Sequence, residues 1–335
     1  MAETVLLTGI SGFIAKHVAL QLLQAGHKVR GTLRRLDRAG EVRDALAPRL
    51  PAQALQRLSF VEADLEADRG WDAAMDGVGA LMHTASPFVI EMPKDEQELI
   101  RPAVQGTRRA LLAAARAGVK RVVLTASIVA IETPGRHEAL DEGNWLDMSS
   151  PTADAYGKSK TLAEREAWDI AGREGLDLTT INPVWVLGPP LDGNFGTSVE
   201  LIARLLRGRD PMLPDVGFAL VDVRDVALMH LRALERPETA GKRFIGQGGN
   251  MTLVEMARAL KAAYPGRRIP TRAAPMPLLR LLALFDKQIR VSLPRVGWMP
   301  GASSARAQME LGMDFIPAEK ALLASADFLM RSGKF

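Results

Sequence analysis

Short apolar segments rich in β-branched residues alternate with longer segments of helical periodicity through the first half of the chain. Short apolar runs between turn signals are typical of buried strands, and apolar positions spaced three and four apart are typical of helices packed on one face. Strands are predicted over residues 5–8, 28–33, 58–62, 80–84, 121–125 and 178–182. Because helical patterns separate most of these strands, the sequence predicts an α/β fold with a doubly wound parallel sheet covered by helices on both faces.

A glycine-rich turn separates the first predicted strand from the first predicted helix. This helix covers 12–25, and Gly26 stands where a C-terminal glycine would end it. Gly9 can adopt the positive φ of a tight turn, Gly12 has no Cβ to keep the backbone from phosphate oxygens, and Ala15 lets the helix pack closely on the strand. A strand, turn and helix of this kind is typical of a dinucleotide pyrophosphate site, although small residues also fill turns that bind nothing.

The texture of the sequence changes near residue 185, where loops rich in proline and glycine begin to separate shorter helices and strands. The segment 220–246 again has the pattern of a strand and a helix, so we expect it to return to the first domain. We therefore predict a dinucleotide-binding domain over 1–185 with 220–246, and a smaller C-terminal substrate-binding domain over 186–219 and 247–335.

Composition excludes several functional classes. The 335 residues contain no cysteine, which rules out disulfides, thiolate metal sites and a cysteine nucleophile. The five histidines lack the i, i+4 spacing of a helical metal site, so no metal is expected. A net charge of +4 is small for this length and the arginines are dispersed, so no nucleic-acid partner is expected either.

The N-terminal residues do not have the pattern of a signal peptide, because strand residues lead directly into the glycine-rich turn. A long apolar stretch near the C-terminus, 277–285, is interrupted by Arg280 and is far shorter than the about 20 residues that span a bilayer. We therefore expect a cytoplasmic protein without a membrane partner. This C-terminal segment could form a pocket lid or an oligomer face, and a monomer and a homodimer both remain open.

A tyrosine and a lysine lie one helical turn apart. Tyr156 and Lys160 are i and i+4 in a segment of helical pattern, so they share one face. A phenol is a poor acid at neutral pH, but a neighbouring ammonium group stabilises the phenolate and is expected to lower the phenol pKa. Ser127 follows the strand predicted over 121–125, at the sheet edge where ligands of such folds bind, and its hydroxyl can donate to a carbonyl oxygen.

Taken together, Thr8-Gly9-x-x-Gly12-x-x-Ala15, Ser127 and Tyr156-x-x-x-Lys160 resemble the extended short-chain dehydrogenase/reductase family in order and spacing. The resemblance spans nearly the whole chain and implies a Rossmann-type sheet. Several further segments resemble the branch of dihydroflavonol, cinnamoyl-CoA and methylglyoxal reductases. These are 29–34, 64–65, 83–87 and 159–164.

The resemblance implies a role for each matching residue. Tyr156 becomes the general acid of carbonyl reduction, Ser127 polarises the substrate oxygen, and Lys160 both tunes Tyr156 and contacts the nicotinamide ribose. Other matching positions imply contacts with the cofactor along the turn, the adenine, the pyrophosphate and the nicotinamide. These positions are Ser11, Phe13, Ile14, Asp64, Leu65, Thr84, Ala85, Ser86, Thr125, Pro183 and Val186.

The residues after the second predicted strand bear on the choice between NADP and NAD. An acidic residue there would bind the adenosine ribose hydroxyls of NAD, whereas this chain has Arg34 and Arg35, with Arg38 nearby. Guanidinium groups suit a phosphate dianion in charge and geometry. Arg34 also matches the arginine that holds the 2′-phosphate in the resembling reductases. We predict NADP (NADPH) over NAD, with a solvated loop arginine as the competing explanation.

The loop after Ser127 predicts the character of the substrate pocket. Plant flavonoid reductases of the family carry an asparagine in this loop, whereas here it is largely apolar, which does not favour a flavonoid. An apolar or aryl carbonyl compound is expected. Candidate pocket residues, any of which could instead be core, are Phe88, Ile128, Ile131, Phe195 and Met212, and Trp185 is expected to lie in the core.

The sequence thus predicts an NADPH-dependent oxidoreductase that reduces aldehydes or ketones, reversible as an alcohol dehydrogenase. Two alternatives remain open. One is a sugar-nucleotide epimerase or dehydratase of the same extended family, and the other is a regulatory protein that binds NADP without turnover. The intact Tyr156 and Lys160 favour an enzyme over the regulator.

Overall fold

A computed structural model describes residues 3–86, 95–135, 140–285, 290 and 293–335. Ten strands lie in two sheets within these residues. They are β1 (Thr4–Leu7), β2 (Lys28–Leu33), β3 (Leu58–Glu62), β4 (Ala80–His83), β5 (Arg121–Thr125), β6 (Asp177–Pro183), β7 (Trp185–Leu187), β8 (Gly217–Asp222), β9 (Lys242–Gly246) and β10 (Gly249–Thr252). Three of the six predicted strands have the predicted bounds, and the ends of the others differ by one residue.

The larger sheet has seven parallel strands in the order β3-β2-β1-β4-β5-β6-β9. Its first six strands follow the order of a Rossmann-type dinucleotide-binding sheet, so the predicted fold class is confirmed. Strand order reverses between β1 and β4, which is where such folds leave a crevice at the carboxyl edge. The glycine-rich turn begins at this point.

Helices cover both faces of the large sheet. Together with the helices of the smaller C-terminal part, they are α1 (Phe13–Gln24), α2 (Ala39–Leu46), α3 (Ala52–Leu55), α4 (Trp71–Met75), α5 (Gln97–Arg116), α6 (Ala155–Glu174), α7 (Thr197–Arg207), α8 (Val223–Glu235), α9 (Leu253–Ala263), α10 (Met276–Leu282), α11 (Ala305–Glu310) and α12 (Ala318–Ser332). Alternate residues of β1 serve the two faces. Val5 and Leu7 pack with α1 and α8, whereas Leu6 packs with α4, α5 and α6.

The smaller C-terminal part is built around β7, β8 and β10, with β8 parallel to β7 and antiparallel to β10. Its core is formed by apolar residues of α7, α9 and α12. Within the segment 220–246, β8 lies in this small sheet, α8 packs on α1, and β9 pairs with β6 in the large sheet. Of that segment, β9 therefore belongs to the large sheet and α8 packs next to it, whereas β8 does not return to it. The division into domains stays a prediction.

A loop after β7 ties the two parts of the molecule together over the start of α1. The ammonium of the buried Lys16 forms an ion pair with Asp192 and donates to the Asn194 carbonyl oxygen at 3.2 Å. The Asn194 side chain donates to the Ser11 carbonyl oxygen at 2.9 Å, and a ring nitrogen of His17 lies 3.0 Å from the Pro189 carbonyl oxygen. We call residues 188–196 the strap.

The strap holds a buried charge in place. Burial lowers the pKa of Lys16, and its hydrogen bond to Asp192 opposes that shift. A lysine and a histidine among the apolar residues of α1 are the sequence signal for these buried polar contacts.

Among the described helices, none combines the length and apolar character needed to cross a lipid bilayer.

Gly31 makes room for the glycine-rich turn. A Cβ at this position of β2 would overlap the side chain of Ile10, which is fully buried beneath the turn. We expect Gly31→Ala to lower the free energy of unfolding by about 1–3 kcal/mol, the usual cost of overpacking a core. Chemical denaturation measures it. In the double variant with Ile10→Ala, the loss of stability should be smaller than the sum of the two single-variant losses by at least about 0.5 kcal/mol. A loss equal to that sum would contradict the overlap.

The Lys16–Asp192 pair gives a second stability prediction. Asp192→Asn leaves a buried ammonium without its carboxylate, and breaking a buried pair on one side costs about 3–5 kcal/mol. We expect a loss near the lower end, because Asp192 is partly exposed. Combining it with Lys16→Met removes the unpaired charge and should restore most of the stability in the same denaturation assay. A double variant as unstable as Asp192→Asn alone would show that the loss has another origin.

Candidate active site

The glycine-rich turn has the conformation that its sequence requires. Gly9 has a φ of +64°, and a Cβ there would lie 2.9 Å from the Cβ of Ala85. Gly12 caps α1 with extended backbone, and its amide donates to the Gly9 carbonyl oxygen at 2.9 Å. Gly9 and Gly12 bring the backbone to the wall of a cavity at the N-terminus of α1, and a helix N-terminus is a favourable place for a phosphate.

The hydroxyl of Thr8 supports the turn from below. It accepts hydrogen bonds from the backbone amides of Thr84 at 3.1 Å and Ala85 at 3.0 Å, and it lies 2.8 Å from Nδ1 of His83. Burial lowers the pKa of His83 to about 3, so the imidazole is neutral. Because the Thr8 oxygen already accepts two hydrogen bonds, its own proton is assigned to Nδ1, which places the ring proton on Nε2, a buried atom without a hydrogen-bond partner among the described residues. The polar Thr8 at the end of an apolar strand was the signal for this contact.

Ser127, Tyr156 and Lys160 meet at the carboxyl edge of the large sheet. Ser127 follows β5 and begins a 3₁₀ turn over Ile128–Ala130, while Tyr156 and Lys160 lie in the first turns of α6. Asp154 caps α6 by accepting from the Gly157 amide at 2.7 Å. The Lys160 ammonium lies 5.7 Å from the centroid of the Tyr156 ring, and the side chains of Ser127 and Tyr156 are hydrogen-bonded.

Burial shifts the pKa values of Tyr156 and Lys160 so that the neutral form of each is favoured. It raises the pKa of Tyr156 to about 12, with a further rise from Asp154 and an opposing hydrogen bond from Ser127. It lowers the pKa of Lys160 to about 8, opposed by Glu164. In this structure the pKa of Tyr156 is therefore raised, by desolvation and by Asp154, whereas the sequence predicted a pKa lowered by Lys160.

A cavity of about 420 Å³ joins the turn to these side chains. Many of the residues predicted to bind the cofactor or to catalyse line it together. They are Gly9, Gly12, Phe13, Ile14, Thr84, Thr125, Ser127, Tyr156, Lys160, Pro183 and Val186. The Thr125 hydroxyl forms a hydrogen bond with Nε2 of His230, at 2.7 Å.

Other predicted cofactor residues lie along the same sheet edge, outside this cavity. Arg34 follows β2 and is exposed, and the described residues form no salt bridge with it. Its neighbours Arg35 and Arg38 are paired with Asp37 and Glu41. Five further predicted residues lie outside the cavity lining. They are Ser11 in the glycine-rich turn, Asp64 and Leu65 after β3, and Ala85 and Ser86 after β4.

The predicted substrate residues are separated by the structure. Ile128 and Ile131 belong to the same buried apolar cluster, and only Ile128 of the two also lines the cavity. Phe195 packs edge-to-face on Phe328, with ring centroids 6.3 Å apart, and Met212 lies in a loop away from the cavity. None of Ile131, Phe195 and Met212 lines the cavity, and their assignment to the substrate site stays a prediction. Phe88 lies outside the described residues, as does His137 of the histidines considered for a metal.

The remaining cavity wall contains residues that the sequence analysis missed or placed elsewhere. Trp185 packs on Phe218 with ring centroids 4.8 Å apart, and it also lines the cavity rather than only the core. Asp154 and Arg295 bring charges to a wall expected to be apolar. Arg295 comes from a distant C-terminal segment, so no local signal could have placed it here. The described residues contain no cluster of acidic and histidine side chains suited to a metal ion.

Comparison with known proteins places the chain in a family. Residues 5–245 match the model of the NAD dependent epimerase/dehydratase family. The chain is 35% identical to cinnamoyl-CoA reductase 1 of Arabidopsis thaliana over 275 residues, which cover 81% of this chain and 77% of that protein. It is also 35% identical to a ketoreductase of Aspergillus niger over 310 residues, covering 85% and 90%.

A solved structure agrees with this result. The structure of yeast methylglyoxal/isovaleraldehyde reductase complexed with NADPH superposes with a TM-score of 0.81 at 25% identity, covering 99% of this chain and all of that one. The resemblance inferred from the sequence motifs is confirmed. The chain belongs to the NAD-dependent epimerase/dehydratase family and, within it, to the extended short-chain dehydrogenase/reductase branch of oxidoreductases that includes the cinnamoyl-CoA reductases.

Proposed function

We propose that the protein is an NADPH-dependent reductase of aldehydes or ketones. The observation that carries this proposal is the single cavity in which the glycine-rich turn faces Ser127, Tyr156 and Lys160. Reductase relatives and an NADPH-bound reductase of the same fold support it. The reverse reaction, oxidation of the corresponding alcohol, uses the same groups.

The residues present fit a dinucleotide. A Cβ at Gly9 would collide with Ala85, so glycine lets the turn pack against the loop after β4, and Gly9 and Gly12 both line the cavity where a pyrophosphate would bind. Pro183 and Val186 line the same cavity and would give a nicotinamide an apolar wall. A bound nicotinamide would supply the hydride for reduction.

The chain's own side chains account for the proton. With a pKa of about 12, Tyr156 carries its proton throughout the neutral range and can donate it to a carbonyl oxygen as negative charge develops there. The Ser127 hydroxyl, which lines the same cavity, donates a second hydrogen bond to that oxygen. Lys160 stabilises the phenolate left behind, and this requires the ammonium form.

The cavity wall favours a small substrate with an apolar or aryl substituent. Ile128, Val129 and Trp185 provide apolar surface, while Asp154 and Arg295 add two charges. Part of the cavity of about 420 Å³ lies beside the turn, where the cofactor would bind, and the rest lies beside these residues.

The direct test follows the loss of NADPH absorbance with aryl aldehydes, branched alkyl aldehydes and α-dicarbonyl compounds, and separately with NADH. Turnover of these substrates supports the reductase. NADPH that binds without being consumed, together with interconversion of a sugar nucleotide, would replace the proposal by the epimerase alternative. NADPH binding with neither reaction would leave the regulatory protein.

Tyr156→Phe tests the proton donor. Removing one hydroxyl should lower kcat by about 10²-fold or more, because general acid catalysis typically contributes 10²–10⁴-fold. NADPH affinity, measured by nucleotide fluorescence, should stay within a few-fold of wild type. Wild-type turnover in this variant would contradict the assignment of Tyr156.

Arg34→Ala tests the preference for NADPH. A charge-assisted hydrogen bond contributes about 1.5–3 kcal/mol, so the Kd for NADPH should rise by roughly 10-fold or more while the Kd for NADH changes little. Arg35→Ala is the matched control, since Asp37 already engages that guanidinium, and its effect should be smaller. Equal weakening of both cofactors by Arg34→Ala would exclude a 2′-phosphate contact at this residue.

A further inference from the structure

A buried carboxylate lies directly behind the catalytic side chains. Glu164 is 1% exposed and stands one helical turn after Lys160 on α6, so the two share a helix face. A carboxylate is costly to bury without partners, and Glu164 has them on both oxygens.

Three residues surround this carboxylate. Oε1 lies 2.8 Å from Arg243 Nε and 2.9 Å from the Thr180 hydroxyl. Oε2 accepts from Asn182 Nδ2 at 2.9 Å and from Arg243 Nη2 at 3.1 Å. Thr180 Oγ1 also lies 2.9 Å from Asn182 Oδ1, and its single proton can serve only one of the two acceptors at a time.

Asn182 connects the carboxylate to the catalytic serine. Its Nδ2 group has two protons, one directed to Glu164 and the other to the Ser127 carbonyl oxygen at 3.3 Å. Asn182 is fully buried near the end of β6, beside the point where Ser127 leaves β5. The carboxylate therefore orients the amide that holds the Ser127 backbone.

Arg243 anchors the other side of the carboxylate. Its guanidinium stacks 3.9 Å from the ring centroid of Trp145 and donates to the carbonyl oxygens of Glu142 at 2.9 Å and Asn144 at 2.7 Å. These contacts leave the guanidinium little freedom to move. Arg243 thus fixes the position of the Glu164 side chain through two hydrogen bonds.

Charges that face Lys160 come from several elements. Glu164 on α6 raises its pKa, and His83 at the end of β4 lies near it but is neutral, with a pKa lowered to about 3. His230 on α8 is also neutral and engages Thr125. Asp154, at the start of α6, acts on Tyr156. Within the described residues, Glu164 is the acidic group that opposes the desolvation of Lys160.

We propose that Glu164 is a positioning residue of the active site, which holds Ser127 in place through Asn182 and supplies the counter-charge of Lys160. The inference rests on the proposed function, since it assigns Lys160 a role that needs the ammonium form. It assigns Glu164 no contact with substrate or cofactor.

The first experiment uses Glu164→Gln and measures Lys160 directly. Only the neutral amine is acylated, so the pH dependence of Lys160 acylation in the cofactor-free protein, followed by peptide mass spectrometry, reports its pKa. Loss of one negative charge about a helical turn away should move the midpoint down by roughly one pH unit. The alkaline fall in kcat should move in the same direction, because the required ammonium is lost at lower pH.

Two variants separate this role from general stability. Glu164→Asp retains the charge and should restore the alkaline limb toward its wild-type position. Thr179→Val is the matched control. Thr179 is buried on β6, the strand that carries Thr180 and Asn182, but its hydroxyl contacts Thr239 instead of Glu164. It should lower the melting temperature without moving the midpoint. An unshifted midpoint in a folded Glu164→Gln protein overturns the proposal.

Asn182→Ala decides the matter if Glu164→Gln does not fold. It retains the charge of Glu164 but removes the amide, so kcat should fall about tenfold with the alkaline limb unchanged and the KM for NADPH within threefold. A kcat equal to that of Thr179→Val overturns the proposal. Tyr156→Phe distinguishes the two levels: if it abolishes turnover while the Glu164 variants behave as wild type, only this inference fails, whereas wild-type turnover in Tyr156→Phe removes the proposed function itself.

Discussion

The position of the glycine-rich turn depends on the hydrogen bonds of the Thr8 hydroxyl. At the carboxyl edge of a parallel sheet, backbone amides leave the ladder and need other acceptors, because a buried amide without one costs about 1–3 kcal/mol. Thr8 accepts from the amides of Thr84 and Ala85 and donates to neutral His83. One side chain thereby joins β1 to β4, and Gly9 follows it immediately in a conformation that leaves space for a phosphate.

The same edge of the sheet uses side chains to hold Ser127. There the amide of Asn182 on β6 reaches the serine carbonyl oxygen, and Glu164 orients that amide. Both central connections of the active site are therefore made by buried polar groups whose partners come from neighbouring elements. Hydrogen bonds are stronger in the low-dielectric interior than in water, so these groups define the geometry of the neighbouring backbone.

Desolvation sets the protonation of the two titratable groups, Tyr156 and Lys160. It keeps Tyr156 protonated at neutral pH, which suits donation of a proton to a carbonyl, and it brings the pKa of Lys160 to about 8, close to the neutral range. The lysine charge is thus the more easily lost of the two, and the nearby Glu164 opposes its loss. A different part of the cavity wall contains Trp185 of β7 and Arg295, which come from the smaller C-terminal part.

The sequence by itself determined the alternating strands and helices, the glycine-rich turn and the spacing of Ser127, Tyr156 and Lys160. These features depend on local periodicity, on backbone freedom at Gly9 and on helix geometry, all of which are encoded within a few residues of each other. Arg295 in the cavity, the pair of Lys16 with Asp192, and the convergence of Glu164, Asn182 and Arg243 were decided only by the tertiary structure. Their members are far apart in the chain or on different strands, and the pKa of Tyr156 likewise depends on how much water the folded protein excludes. Ile131 and Phe195 make the same point, because an apolar residue can face a cavity or a core with equal local pattern, and only packing chooses between them.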